Sequence, residues 1–315
     1  MPTHKIERVA AIGTGTIGMS WAALFLANGL AVAASDPAQG AETRLRRFVE
    51  DAWPVLARLG AVAPAPPQDL LTFHPDPERA AEGADFVQES APERENIKQE
   101  VLARIDAALP EEIVIASSSS GLLISRLQSF CRHPERVVLG HPFNPPHLIP
   151  LVEVVGGART ASETVARAME FYAAIGKRPI HIRREVPGHV ANRLQAALWR
   201  EAVHLVATGV AGVADVDAAI SEGPGLRWAL MGPHLTFHLA GGTGGMGHFL
   251  EQLGPPLESW WDDLGSPSLT REVRRKLTEG VAAEAEGRDI ATLMAERDRF
   301  LLDLLALKKA VDDGN

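Results

Sequence analysis

A chain of 315 residues with 46% hydrophobic content exceeds the ~250 to 300 residues at which single cores stop growing, so two domains are expected. A formal charge of -9, with 40 acidic against 31 basic side chains and no basic block, leaves nucleic acid no electrostatic footprint and favours small-molecule partners. One cysteine, Cys131, excludes an internal disulfide, and no Cys/His cluster has zinc spacing, so neither an oxidising compartment nor a metal is expected.

MPTHKIERVA lacks the charged-then-apolar form of a signal peptide. The most apolar stretch, Trp21 to Ala34, is interrupted by Asn28 and Gly29, short of the ~20 residues that span a bilayer. A cytoplasmic protein with no membrane partner is the expectation.

Up to about residue 185, short β-branched runs alternate with amphipathic patterns, the signature of a parallel sheet covered by helices. Strands are expected at Arg8 to Ile12, Ala31 to Ser35, Leu71 to His74, Asp85 to Glu89, Ile113 to Ala116, Val137 to His141, Leu151 to Val155 and Pro179 to Arg183. Helices are expected at Ile17 to Ala27, Ala38 to Leu59, Ile97 to Ala108 and Ser162 to Ile175, with VAPAPPQ at 62–68 as a surface connection. Beyond Val186-Pro187-Gly188 the strand pattern ends, and helical periodicity runs over 189–207, 213–221, 270–285 and 288–309. The expected division is therefore an α/β dinucleotide-binding domain of Rossmann type over 1–186 and an all-α domain over 187–315.

The run VAAIGTGTIGMSWAALFLANGLAVAASDP places Gly13, Gly15 and Gly18 in G-x-G-x-x-G spacing between a strand and a helix. The first glycine permits a tight turn, the second lets backbone approach a pyrophosphate, and the third lets helix pack on strand. Ile17 belongs to the same loop-to-helix start, whose unpaired N–H groups and positive dipole end suit phosphates. Asp36 closes the next strand, where an acid bonds the adenosine ribose 2′-OH and repels a 2′-phosphate. NAD is thus expected over NADP.

Further along, IVIASSSSGLLISRL carries Ser117 to Ser120 between a strand and a helical pattern, where serines also serve as helix caps. LGHPFNPP then seats His141 at a strand end, and LVEVV places Glu153 inside an apolar strand. A buried acid is costly unless paired, and a histidine bonded to a carboxylate is held in one tautomer as a better base.

The glycine loop, QESAPERENIK, the serine run, GHPFNPP with LVEVVGG, and VPGHVANRL together resemble the L-3-hydroxyacyl-CoA dehydrogenase family over nearly the whole chain. Within it, FVQESAPER, HPERVVLGHPFNP, PLVEVVGG, GLRWALMG and SEGPG are most similar to the branch holding L-carnitine dehydrogenase and the lambda-crystallin type of L-gulonate 3-dehydrogenase. The resemblance implies NAD-dependent oxidation of an L-3-hydroxy group, with His141 as general base, Glu153 its partner, Ser120 a hydroxyl ligand and Asn192 a second polar contact. It also implies Glu93 and Lys98 near the nicotinamide half of the cofactor, and a homodimer through the helical domain.

The substrate stays open among a short free acid of the carnitine type, L-gulonate and a CoA thioester; a crystallin-like structural or NAD-sensing protein is the non-enzyme alternative. Segment 38–69 is shorter than the lysine-rich hairpin of CoA-using members and contains no lysine, although Arg44, Arg46 and Arg47 remain. Aromatic faces for a quaternary ammonium are offered by Phe143, Trp199, Trp228, Phe237, Trp260 and Trp261, and carboxylate clamps by Arg193, Arg200 and Arg227. Two departures from the carnitine pattern, His147 in place of tyrosine and Gly247 in place of arginine, raise the expectation of a different small acid.

Overall fold

The computed structural model describes residues 5–60 and 62–313. Eight strands form one sheet in the order β3-β2-β1-β4-β5-β6-β7-β8: β1 (Arg8–Ile12), β2 (Ala31–Ser35), β3 (Leu71–His74), β4 (Phe86–Glu89), β5 (Val114–Ser117), β6 (Val137–Pro142), β7 (Leu151–Gly156) and β8 (Arg178–His181). Helices α1 (Thr16–Ala27), α2 (Ala41–Leu59), α3 (Pro77–Ala81), α4 (Glu95–Ala108), α5 (Ile124–Leu127) and α6 (Ser162–Ala174) complete this part. Strands β1 to β6 pair in parallel, and the order reverses beside β1, the switch point at whose carboxyl ends sheets of this kind bind their ligands.

Successive side chains of a strand point to opposite faces, and here both faces are covered. Val9 and Ala11 join one apolar cluster with Trp21, Phe25, Leu45 and Phe171. Ala10 and Ile12 join the other with Val87, Leu102, Ile105 and Ile115. The same alternation carries Glu89, Ser117 and His141, the odd-numbered residues at the ends of β4, β5 and β6, to the face of Val87, Ile115 and Leu139.

One expectation needs correction: the sheet is mixed. β6 and β7 are antiparallel, and β8 runs parallel to β7. Segment 143–150 is too short for the crossover of a dozen or more residues that a parallel return requires. The reversal places His141 directly opposite Glu153 in register.

Segment 143–150 is held from beneath by Lys177, whose buried ammonium donates to the carbonyls of Pro146 and Ile149 and lies over the Trp21 ring. His147 is also buried there, bonded through Nδ1 to Ser20 Oγ at 2.7 Å and edge-on to Phe48. The departure at His147 is therefore a packing feature under α1 and α2.

The chain divides into two compact units between Asn192 and Arg193, slightly beyond the expected break in the turn that follows β8. The second unit is helical: most of α7 (Ala191–Thr208), then α8 (Val213–Ser221), α9 (Pro224–Trp228), α10 (Pro233–Ala240), α11 (Gly245–Asp263), α12 (Arg271–Glu284) and α13 (Ile290–Asp313). Helix α11 was not expected, because Pro255 and Pro256 lie inside it and glycines crowd its start. Packing overrides propensity: Phe249 is buried and stacks on Phe237 of α10 with ring centroids 4.7 Å apart. Among the described residues no helix is long and apolar enough to cross a membrane.

Candidate active site

The glycine loop is built by backbone contacts. Gly13 has φ +89°, and a Cβ there would lie 2.7 Å from the Ser90 carbonyl. A Cβ on Gly18 would lie 1.7 Å from Gly13 O, so helix and loop touch only because residue 18 is glycine. Gly15 differs, since a Cβ there meets nothing within 4 Å. Gly15 caps α1 without any side-chain hydrogen bond, leaving the first N–H groups of the helix for a ligand.

Asp36 accepts from Thr14 N at 2.8 Å and from Ala38 N at 2.9 Å, which fixes its carboxylate beside the loop with lone pairs to spare. Thr14 Oγ1 is buried and has no hydrogen-bond partner. An orphaned hydroxyl, a glycine facing open space and an uncapped helix start fit a dinucleotide. Ile17 stands in the first turn of α1, half-buried against the apolar cluster of Trp21.

At the end of β6, His141 Nδ1 lies 2.9 Å from Glu153 Oε2. Glu153 Oε1 accepts from Val190 N and Ala191 N, each at 2.9 Å. Burial raises the carboxyl pKa, but bonds from His141, Ala191 and Val190 outweigh it and hold the group below the usual range. Glu153 therefore contributes stability above the unfolded carboxylate value, and loses it as pH falls through the lower folded value. Since the ionised carboxylate only accepts, His141 carries its proton on Nδ1 and keeps the Nε2 lone pair free to take another.

Ser120 and Asn192 come together beside this pair, with Asn192 Nδ2 donating to Ser120 O at 3.0 Å. Glu93 Oε1 accepts from Ser119 Oγ, Ser120 N and Gly121 N at 2.7, 2.9 and 3.0 Å. These bonds and the charge of Lys98, 3.7 Å from Oε2, lower the Glu93 pKa against partial burial. The serine run is thus held by Glu93, while Ser119 Oγ closes a local turn by accepting from Leu122 N.

Two groups escaped the sequence reading. Glu89 is wholly buried; its Oε1 accepts from Lys98 Nζ at 2.9 Å and its Oε2 from Ser117 Oγ at 2.5 Å, across the β4–β5 register. An acid in an apolar strand was the visible signal, at the end of β4 here and inside β7 for Glu153. His189 is the other, buried in left-handed backbone at φ +53° with its ring centroid 5.2 Å from that of His141. Nothing in its sequence neighbourhood announced it.

Residues 8–186 match the 3-hydroxyacyl-CoA dehydrogenase NAD-binding domain, and residues 188–284 the C-terminal domain of the same family. The chain belongs to the 3-hydroxyacyl-CoA dehydrogenase family. It is 55% identical over 302 residues to an L-carnitine dehydrogenase of Streptomyces coelicolor, covering 96% of this chain and 95% of that one. An L-carnitine dehydrogenase of Bacillus cereus is 50% identical over 307 residues, 98% and 94% of the two chains. Among solved structures, 5-formyl-3-hydroxy-2-methylpyridine 4-carboxylic acid 5-dehydrogenase, an NAD-dependent dismutase, superposes with a TM-score of 0.83 at 34% identity over 97% of this chain and 99% of that one. As a member of the family, the chain is an NAD-dependent oxidoreductase.

Proposed function

We propose that this enzyme oxidises the L-3-hydroxyl of a short, free 3-hydroxy acid to the ketone, with L-carnitine the favoured substrate and His141 the general base. The observation that carries the reading is the His141–Glu153 pair, aligned by strand register and fixed by two backbone N–H groups. When bound, NAD supplies the hydride acceptor. His141 Nε2 takes the hydroxyl proton as the hydride leaves the same carbon, and Glu153 stabilises the imidazolium that results. Ser120 and Asn192 hold the alcohol oxygen while charge develops on it. Glu93 and Lys98 shape the nicotinamide side, and Gly13, Gly15, Ile17, Gly18 and Asp36 hold the rest of the cofactor.

Arg44, Arg46 and Arg47 of segment 38–69 each have a local partner on the surface. Arg46 bonds Glu42, Arg47 lies 3.8 Å from Asp51, and Arg44 donates to the Gln39 carbonyl. For carnitine the geometry is more favourable. Its quaternary nitrogen is bonded to the carbon next to the reacting one, so a partner face must stand beside the base. Phe143 does so, edge-on to His141 at 5.7 Å between centroids, and an aromatic face at a desolvated site holds such a cation by up to ~2 kcal/mol.

One initial-rate panel with NAD decides the substrate: L-carnitine, L-gulonate, L-3-hydroxybutyrate and, in reverse, acetoacetyl-CoA. L-Carnitine should be the best, and Phe143→Ala should raise its KM at least about tenfold while changing that of 3-hydroxybutyrate little. Activity on the thioester alone overturns the proposal. Asp36→Ala should lower the preference for NAD over NADP at least about tenfold, and an unchanged ratio would show that Asp36 does not read the ribose.

A homodimer through the helical unit is part of this reading. Leu194, Leu198, Trp199, Trp260, Trp261 and Phe300 all stand exposed there, more large apolar surface than an isolated domain usually leaves to water. A cytoplasmic placement agrees with NAD use and a single cysteine.

A further inference from the structure

We propose that His189 is a positioning residue for this oxidation, locking the Ser119–Ser120 turn against the start of α7 beside the His141 ring. The inference rests on His141 being the base. His189 Nε2 lies 3.1 Å from Ser119 O. A carbonyl only accepts, so the imidazole proton sits on Nε2. With the bond from Asn192 to Ser120 O, this gives two links from the 189–192 turn to two successive carbonyls of the serine run. The same turn offers Val190 N and Ala191 N to Glu153. His189 therefore joins the element that orients the base to the element that bears Ser120.

The backbone supports a functional reading. Gly188 and His189 have φ of +75° and +53° in succession. A left-handed residue other than glycine is uncommon and persists where its surroundings over-determine it. Here the determinants are the Ser119 carbonyl and the buried packing of the ring against His141.

Charge adds a second consequence. The groups facing His189 are His141 on β6, Glu153 on β7, Glu93 on the loop before α4, and the Ser119 carbonyl. Lys98 stands behind Glu93. Burial above all, and then His141, push the His189 pKa down, against the Ser119 bond and the two carboxylates. Burial thus favours the neutral form of His189, the form whose single proton sits on Nε2 for the Ser119 carbonyl. Protonating it places a cation beside the ring that must itself become cationic, so acid shuts the reaction twice.

The test compares His189→Gln, which keeps an amide donor near Nε2 and cannot titrate, with His189→Phe, which fills the space without a donor. NAD binding by fluorescence titration, and kcat and kcat/KM against pH, are measured on both and on wild type. The expected result is that H189F loses about 10- to 100-fold in kcat with NAD affinity unchanged, while H189Q recovers to within about threefold of wild type. The acid limb of log kcat/KM should steepen beyond unit slope in wild type and stay at unit slope in H189Q. Native kcat in H189F, or H189Q no better than H189F, overturns the proposal. If H189F fails to fold, an acid limb in H189Q as steep as in wild type overturns it instead. Failure of the underlying reading is seen separately, as retained turnover in His141→Gln.

Discussion

His141→Gln is expected to lose at least about 100-fold in kcat while NAD still binds with native affinity, since a positioned general base contributes ~10² to 10⁴. The ring lies at the end of β6, remote in sequence from the glycine loop between β1 and α1, so nucleotide binding and proton removal separate in one variant. Glu153→Gln is expected to lose nearly as much, for a different reason. The Oε1 position of Glu153 accepts two backbone N–H groups, so the glutamine must place its oxygen there. Its NH₂ then faces His141 Nδ1 and forces that nitrogen to accept, which moves the ring proton to Nε2 and blocks the base. The double variant should be little worse than either single one, because the pair acts as a unit. Steady-state rates at saturating NAD and substrate, with a parallel binding titration, check all three. Near-native turnover in H141Q would remove His141 from the chemistry.

This asymmetry of Glu153, with one oxygen for the histidine and one for the turn at residue 190, was half legible in the sequence. An acid among valines and leucines announces a buried partner, and His141 was the available one. That a second partner would come from Val190 and Ala191 was not legible, because it depends on how the Pro187-Gly188-His189 turn folds back over β7. The turn chemistry of the β1–α1 glycine loop was more legible, because the clash that excludes a Cβ from Gly18 lies within the loop itself, at Gly13 O, whereas the approach of Ser90 to Gly13 comes from the end of β4 and was not. Glu89 satisfies the same criterion as Glu153 and was passed over, although register pairs it with Ser117 and helix α4 brings Lys98 to it. The antiparallel return of β7 could be inferred from the short 143–150 connection. Helix α11 could not, since its prolines argue against it and only the packing of Phe249 on Phe237 argues for it.

The glycines allow a second large effect to be divided between folding and binding. Gly18→Ala is expected to destabilise the first unit by about 3 kcal/mol or more, since the added carbon would lie 1.7 Å from Gly13 O and a backbone atom cannot step aside as a flexible side chain would. Gly15→Ala should leave stability unchanged, because the same carbon meets nothing within 4 Å and Gly15 has no positive φ to lose. Its cost should appear only with the cofactor, as a rise of at least about tenfold in the NAD dissociation constant, ~1.4 kcal/mol, where the methyl stands in the path of the pyrophosphate. Urea unfolding with and without NAD separates the two. In the absence of NAD only Gly18→Ala should shift the midpoint, whereas the stabilisation gained by adding NAD should shrink in Gly15→Ala, since ligand that binds only the folded state stabilises in proportion to log affinity. A Gly15→Ala protein that binds NAD normally would mean that the phosphates do not approach α1 over Gly15. The orphaned Thr14 hydroxyl and the uncapped first turn would then need another ligand.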